Sequence, residues 1–126
     1  MKLTEDPSEI FSRIRELMKK YAPPFNIRMN TSRSFDLWIE KEIEVAGKIR
    51  PEFYFGGVVI HAGHVGFYLM SIYIEPAEKE KIPQELLKML SGKSCFRIKK
   101  LDTHLEVQIE TALSAAYNFY KRNNWC

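Results

Sequence analysis

Apolar residues recur at helical spacing at Ile10, Ile14, Leu17, Met18 and Tyr21, and the period then changes to two. Asp6, Pro7 and Glu9 ahead of the helical run supply an N-cap, a proline at the first helical position and the carboxylate of a capping box. Pro23 and Pro24 end the helix, because each lacks an N–H and forces its predecessor out of the helical region. Phe25, Ile27 and Met29 alternate with polar residues, and residues 31–34 read as a turn. Residues 35–45 read as one half-buried strand, apolar at odd positions except Lys41, with Asp36, Glu40, Glu42 and Glu44 on a wet face. A loop is expected over residues 47–51.

Two β-rich runs follow, residues 53–60 and 65–74, joined through His61, Ala62, Gly63 and His64 as a hairpin. The second run is apolar on both faces, so it is expected to be a central strand covered on both sides. Pro83 opens a short helix carrying Leu86, Leu87, Met89 and Leu90, with Gly92 at the left-handed position beyond its end. Residues 94–99 form a last strand, Phe96 and Ile98 inward, Arg97 and Lys99 outward. Asp102 caps a long final helix whose core stripe is Leu105, Ile109, Ala112, Leu113, Ala116 and Tyr120. The order α-β-β-β-β-α-β-α predicts an α+β fold: an antiparallel sheet of about five strands with helices packed on it.

Composition narrows the setting. The 126 residues suit one domain spanning residues 1–126, and 45% hydrophobic with 28% charged residues places the chain among globular proteins. The first residues run straight into charge and proline, without the apolar core of a signal peptide. The longest apolar run, residues 65–74, is about half a membrane span, so no membrane partner is expected. Two cysteines, Cys95 and Cys126, are too few for a disulfide framework and point to the cytoplasm. A formal charge of +3 falls short of the basic excess of a dedicated nucleic-acid binder.

The candidate chemistry is sparse. Gly92-Lys93-Ser94 copies the tail of a phosphate-binding loop, but the glycine required five residues earlier is Leu87, and the order is helix then strand. Lys93 beside Cys95 can stabilise a thiolate, although no base is placed within its reach by the sequence. His61 and His64 flank the hairpin turn without a third ligand at a telling spacing. Glu40, Glu42 and Glu44 lie about 7 Å apart along one strand face, able to hold a hard cation through shared water. Lys93, Arg97, Lys99 and Lys100 form a basic cluster that reads as a charged outer face. No motif names a cofactor, and no set of residues reads as catalytic.

Three segments carry a family likeness: residues 54–58 with 66–73, residues 90–100 with their Gly-Lys-Ser-Cys-Phe-Arg-Ile-Lys string, and Tyr120-Lys121-Arg122. Together they resemble the YdhG-like family, a bacterial domain of unknown function. The resemblance covers nearly the whole chain and is most specific over residues 54–100. It implies a compact α+β domain with an antiparallel sheet, and through one branch of the family a frataxin-like iron chaperone. Here the first helix mixes Glu9 and Glu16 with Arg13, Arg15, Lys19 and Lys20, so only Glu40, Glu42 and Glu44 match an acidic iron-binding ridge.

These observations lead to a non-enzymatic binding or adaptor domain that meets a small molecule or protein on its central hairpin. Tyr54, Tyr68 and Tyr73, with Lys93, Ser94 and Cys95, are the candidate ligand-binding residues, since tyrosine joins apolar area to a hydroxyl handle. The alternatives are a weak iron-binding chaperone using Glu40, Glu42 and Glu44, and a thiol-dependent enzyme using Cys95. If all helices lie on one face of the sheet, the two-sided apolar run also predicts a homodimer through the other face.

Overall fold

A computed structural model describes residues 3–126. It has helices packed on a six-stranded antiparallel sheet, an α+β fold, with strand order β1-β2-β5-β6-β8-β7. A separate two-stranded hairpin, β3-β4, sits beside it. No helix among the described residues is long and apolar enough to cross a membrane.

Helix α1 (Pro7–Lys19) starts where Asp6 Oδ1 accepts the Ser8 N–H at 3.1 Å. The reciprocal half of the expected capping box goes elsewhere: the Asp6 amide donates to Thr4 Oγ1, not to Glu9. The helix buries Ile10, Phe11, Ile14, Leu17 and Met18 and crosses β5 and β6. Strands β1 (Asn26–Asn30) and β2 (Ser34–Ile39) are joined by a turn in which Thr31 N–H donates to the Ser34 carbonyl. Strand β1 lies at the sheet edge, and its register against β2 slips between Ile27 and Asn30, which interrupts the expected period of two. Ile27 and Met29 therefore stay exposed, and Phe25, just ahead of the strand, is buried.

The expected continuous strand over residues 35–45 breaks after Ile39. Lys41 already interrupts the apolar alternation, and there the chain leaves the main sheet. It re-pairs as β3 (Ile43–Val45) with β4 (Lys48–Arg50), so the expected loop over residues 47–51 is largely strand. Ala46 and Gly47 between them both have positive φ, 51° and 79°, the mirror-image turn that suits a two-residue hairpin. A left-handed alanine costs about 1–2 kcal/mol, partly offset by the extra unfolded-state freedom of glycine. Ala46→Gly is therefore expected to raise stability by about 0.5–1 kcal/mol in chemical denaturation; a loss would contradict this turn.

Strands β5 (Phe53–His61) and β6 (His64–Leu69) form the predicted hairpin, turning at Gly63 with φ 85°. Opposite β2 the register slips: Leu37 pairs with Gly56, but Trp38 pairs with Tyr54. This bulge points Phe55 and Gly56 both toward the helices. Phe55 stacks on Phe25 at 4.0 Å between ring centroids, and Tyr54 turns to the opposite face against Trp38. The Tyr120 hydroxyl donates to the Tyr54 carbonyl, tying the bulge to the last helix.

The run over residues 65–74 is not one strand. Its sheet pairing stops at Leu69, Met70 takes helical φ and ψ, and Ser71–Ile74 forms a single helical turn, α2. One turn is too short to display helical periodicity, so its apolar residues read as more strand. A 3-10 turn over Pro76–Lys81 and the short α3 (Gln84–Leu87) follow. Leu90–Ser91 is a brief strand, β7, not the end of that helix. Gly92, at φ 77°, turns β7 into β8 (Cys95–Ile98) instead of closing a helix. Helix α4 (Thr103–Arg122) is capped by Asp102 Oδ1 accepting from Leu105 N at 2.9 Å, and its expected stripe is buried. Off that stripe, Phe119 is also buried, while Val107 is exposed.

Alternation then decides the two faces of the sheet. Phe35, Leu37, Val58, Val65, Phe67, Leu69, Phe96 and Ile98 are all fully buried in the core beneath the helices. The opposite face carries half-buried polar and aromatic groups. β6 is consequently not covered by apolar packing on both sides. Its outward residues are His64, Gly66 and Tyr68, so the apolar second face that motivated a homodimer is not present.

Candidate functional site

The open face of the sheet gathers chemistry from four strands. Cross-strand register aligns His61 with His64, Gly57 with Tyr68, Gly66 with Arg97 and Tyr68 with Cys95. Because partners in register share a face, these residues form one contiguous surface. Its relief comes from two glycines. A Cβ at Gly57 would meet the Tyr54 hydroxyl at 2.6 Å, and one at Gly66 would meet Tyr68 and His61 near 3 Å. Their absent side chains let the Tyr54, Tyr68 and His61 rings lie down on the sheet.

His61, Ala62, His64, Tyr68, Ser91, Cys95 and Arg97 line a shallow cleft of about 490 Å³. His61 and His64 face each other at 5.0 Å between ring centroids, and His61 Nε2 lies 2.7 Å from the Tyr68 hydroxyl. Burial, and then the neighbouring Cys95, push the Tyr68 phenol up to about 12. Tyr68 therefore keeps its proton at neutral pH. Tyr54, more deeply set, is raised further by burial and by the Asp36 carboxylate.

The charges divide this face. At the β1-β2 end, Arg28 lies over the Trp38 ring at 4.3 Å and pairs with both Glu40 and Glu52. Those carboxylates hold Arg28 firmly protonated, so its charge is neutralised within the fold. At the β6-β8 end Arg97 meets no acid among the described residues. His64 is held below the usual imidazole range by burial first, then by electrostatic interaction with His61 and with the cations Arg97 and Lys99. The cleft is an uncompensated cationic spot.

The sequence-predicted residues divide into two places. Tyr54, Tyr68 and Cys95 meet on the open face. Tyr73 and Lys93 meet beside α2, with the Lys93 ammonium 5.7 Å from the Tyr73 ring. Ser94 joins neither place: its carbonyl accepts the Leu69 N–H, and Ser91 lines the cleft instead. Glu40, Glu42 and Glu44 do not converge. Glu40 pairs with Arg28, the break after Ile39 separates it from Glu44, and the Glu44 carbonyl accepts the Trp125 indole N–H at 3.1 Å. Among the described residues no three histidine, cysteine or acidic side chains gather to hold a metal ion.

Cys95 touches a phenol, which is a proton donor at neutral pH and not a base. The imidazole of His61 meets the hydroxyl of that same phenol. The contribution of His61, His64 and Arg97 was hidden at the level of residue spacing. It follows from strand register, which aligns them only once β5, β6 and β8 are known to be neighbours. No family model, no curated protein and no solved structure matches the chain.

Proposed function

We propose that this protein is a non-enzymatic binding module that takes a small anionic ligand on the open face of its sheet. One observation carries the reading: Arg97, without an acid partner among the described residues, lines the same cleft as His64, Tyr68, Ser91 and Cys95. A carboxylate or phosphate oxygen there would meet a guanidinium fork and hydroxyl donors, the pairing that charge-assisted hydrogen bonds favour. Binding suits the cleft better than thiol catalysis, because the group in contact with Cys95 is a phenol that keeps its proton. The YdhG-like resemblance brings an iron-chaperone alternative, but Glu40 is already engaged by Arg28, which leaves that alternative without a gathered ligand set.

The test uses inorganic phosphate and the His64 imidazole. The neighbouring cations now disfavour a charged His64, so a bound anion should reverse that effect and raise its pKa. In an NMR titration of the imidazoles, phosphate is expected to move His64 upward, and Arg97→Gln is expected to abolish the change. No movement at millimolar phosphate, or the same movement in Arg97→Gln, would reject the site.

A further inference from the structure

The β3-β4 hairpin inverts the usual pattern of a half-buried ribbon. Register pairs Ile43 with Arg50 and Val45 with Lys48, so both cations share the face of two buried residues. Ile49, the one apolar residue of β4, points the other way and is 67% exposed. A strand that turns its charges toward apolar surface and its isoleucine to water loses stability unless something repays the arrangement. Beneath the hairpin lies a second cavity of about 430 Å³, within the range of small-molecule sites. Val45, Ala46, Phe53, Met70 and Ile74 give it apolar walls, and Lys48, Arg50 and Tyr73 line it too.

No acidic residue lines this cavity, and neither Lys48 nor Arg50 meets an acid among the described residues. We infer that the cavity between the β3-β4 hairpin and α2 binds an amphipathic carboxylate, its apolar body against Phe53, Met70 and Ile74 and its anionic end at Lys48 and Arg50. The apolar walls select against a small hydrated anion such as phosphate, and the cationic lining selects against a neutral hydrocarbon. This site is separate from the cleft at Arg97 and stands without it.

Octanoate, octanol and inorganic phosphate are the probes, followed through the backbone amide resonances of Val45, Phe53, Tyr73 and Ile74. Octanoate is expected to shift them saturably, with half-saturation below about 1 mM, and octanol about tenfold more weakly. The double variant Lys48→Gln, Arg50→Gln should weaken octanoate about tenfold, while Arg97→Gln leaves it unchanged. Equal binding of octanol and octanoate would overturn the proposal, as would equal binding by wild type and double variant. So would the absence of saturable shifts, or shifts confined to the cleft at Arg97. The comparison of octanoate with octanol is made on the wild-type chain and does not depend on any variant folding.

Discussion

Leu69→Ala is expected to remove about 2–5 kcal/mol of stability, toward the upper end of that range. Leu69 is fully buried at the end of β6, and its cross-strand partner is Gly56. A glycine has no side chain to slide into the space that the missing isobutyl group leaves. The backbone cannot close over it easily either, because the Leu69 N–H is held by the Ser94 carbonyl and the next amide by that of Phe55. The cost of a large-to-small change rises with the cavity that remains, and here little collapse is available. Domains of this size hold about 5–15 kcal/mol in total, so a substantial part of the fold's stability is at stake. Chemical denaturation of wild type and variant measures it. A loss below about 0.5 kcal/mol, the size of an ordinary surface change, would mean that Leu69 is not in the core.

Raising the pH above 10 is expected to unfold the protein cooperatively. Tyr120 is fully buried among Phe25, Phe53, Phe55 and Trp125, and burial drives its phenol far above its ordinary value. Tyr54, under Trp38, is raised in the same direction by burial and by Asp36. In the unfolded chain both ionise near 10. Folded-state values above the unfolded ones give stability that is fully present below pH 10. It is lost as the pH rises from there toward the folded values, because the native state then binds more protons than the unfolded one. The loss amounts to about 1.4 kcal/mol per pH unit for each tyrosine still protonated in the fold. Phenolate absorbance should therefore show a late step that coincides with the loss of circular dichroism. Tyr120→Phe should make the alkaline slope shallower, although it also leaves the Tyr54 carbonyl without its donor, at a cost of about 1–3 kcal/mol. A smooth phenolate titration with the fold intact would refute the assignment.

Both effects arise beside the bulge in β5, since Leu69 pairs with Gly56 next to it and Tyr120 of α4 donates to the Tyr54 carbonyl within it, and the same bulge shapes the candidate site. If the ladder ran on regularly from Gly56 with no bulge, Phe55 would pair with Trp38 on the open face, Tyr54 would point into the core and Phe53 to solvent. With it, Phe53 packs on Tyr120 and Trp125 while Tyr54 lies on the open face near Asp36, Tyr68 and Cys95. Core packing and the composition of the open face are thus set by one local irregularity.

Local chemistry was enough to determine much of this protein from its sequence. Asp6 and Asp102 as caps, the helical stripe of α4, the turn at Gly63 and the inward pairs Phe96 and Ile98 all depend on neighbours within a few residues. The sequence also marked Lys41 as the place where alternation fails, and there the chain departs from the sheet. Three decisions needed the tertiary structure. The run over residues 65–74 carries the same apolar, β-rich composition throughout, and only the end of pairing with β5 separates strand from helical turn. The bulge at Phe55 depends on the register against β2, which no local pattern encodes. The gathering of His61, His64, Tyr68, Cys95 and Arg97 depends on the order of β5, β6 and β8, residues up to 36 positions apart in the chain made neighbours by antiparallel pairing. Side-chain periodicity states which residues share a strand face. It does not state which strands lie side by side, because that is decided by burial summed over the whole core.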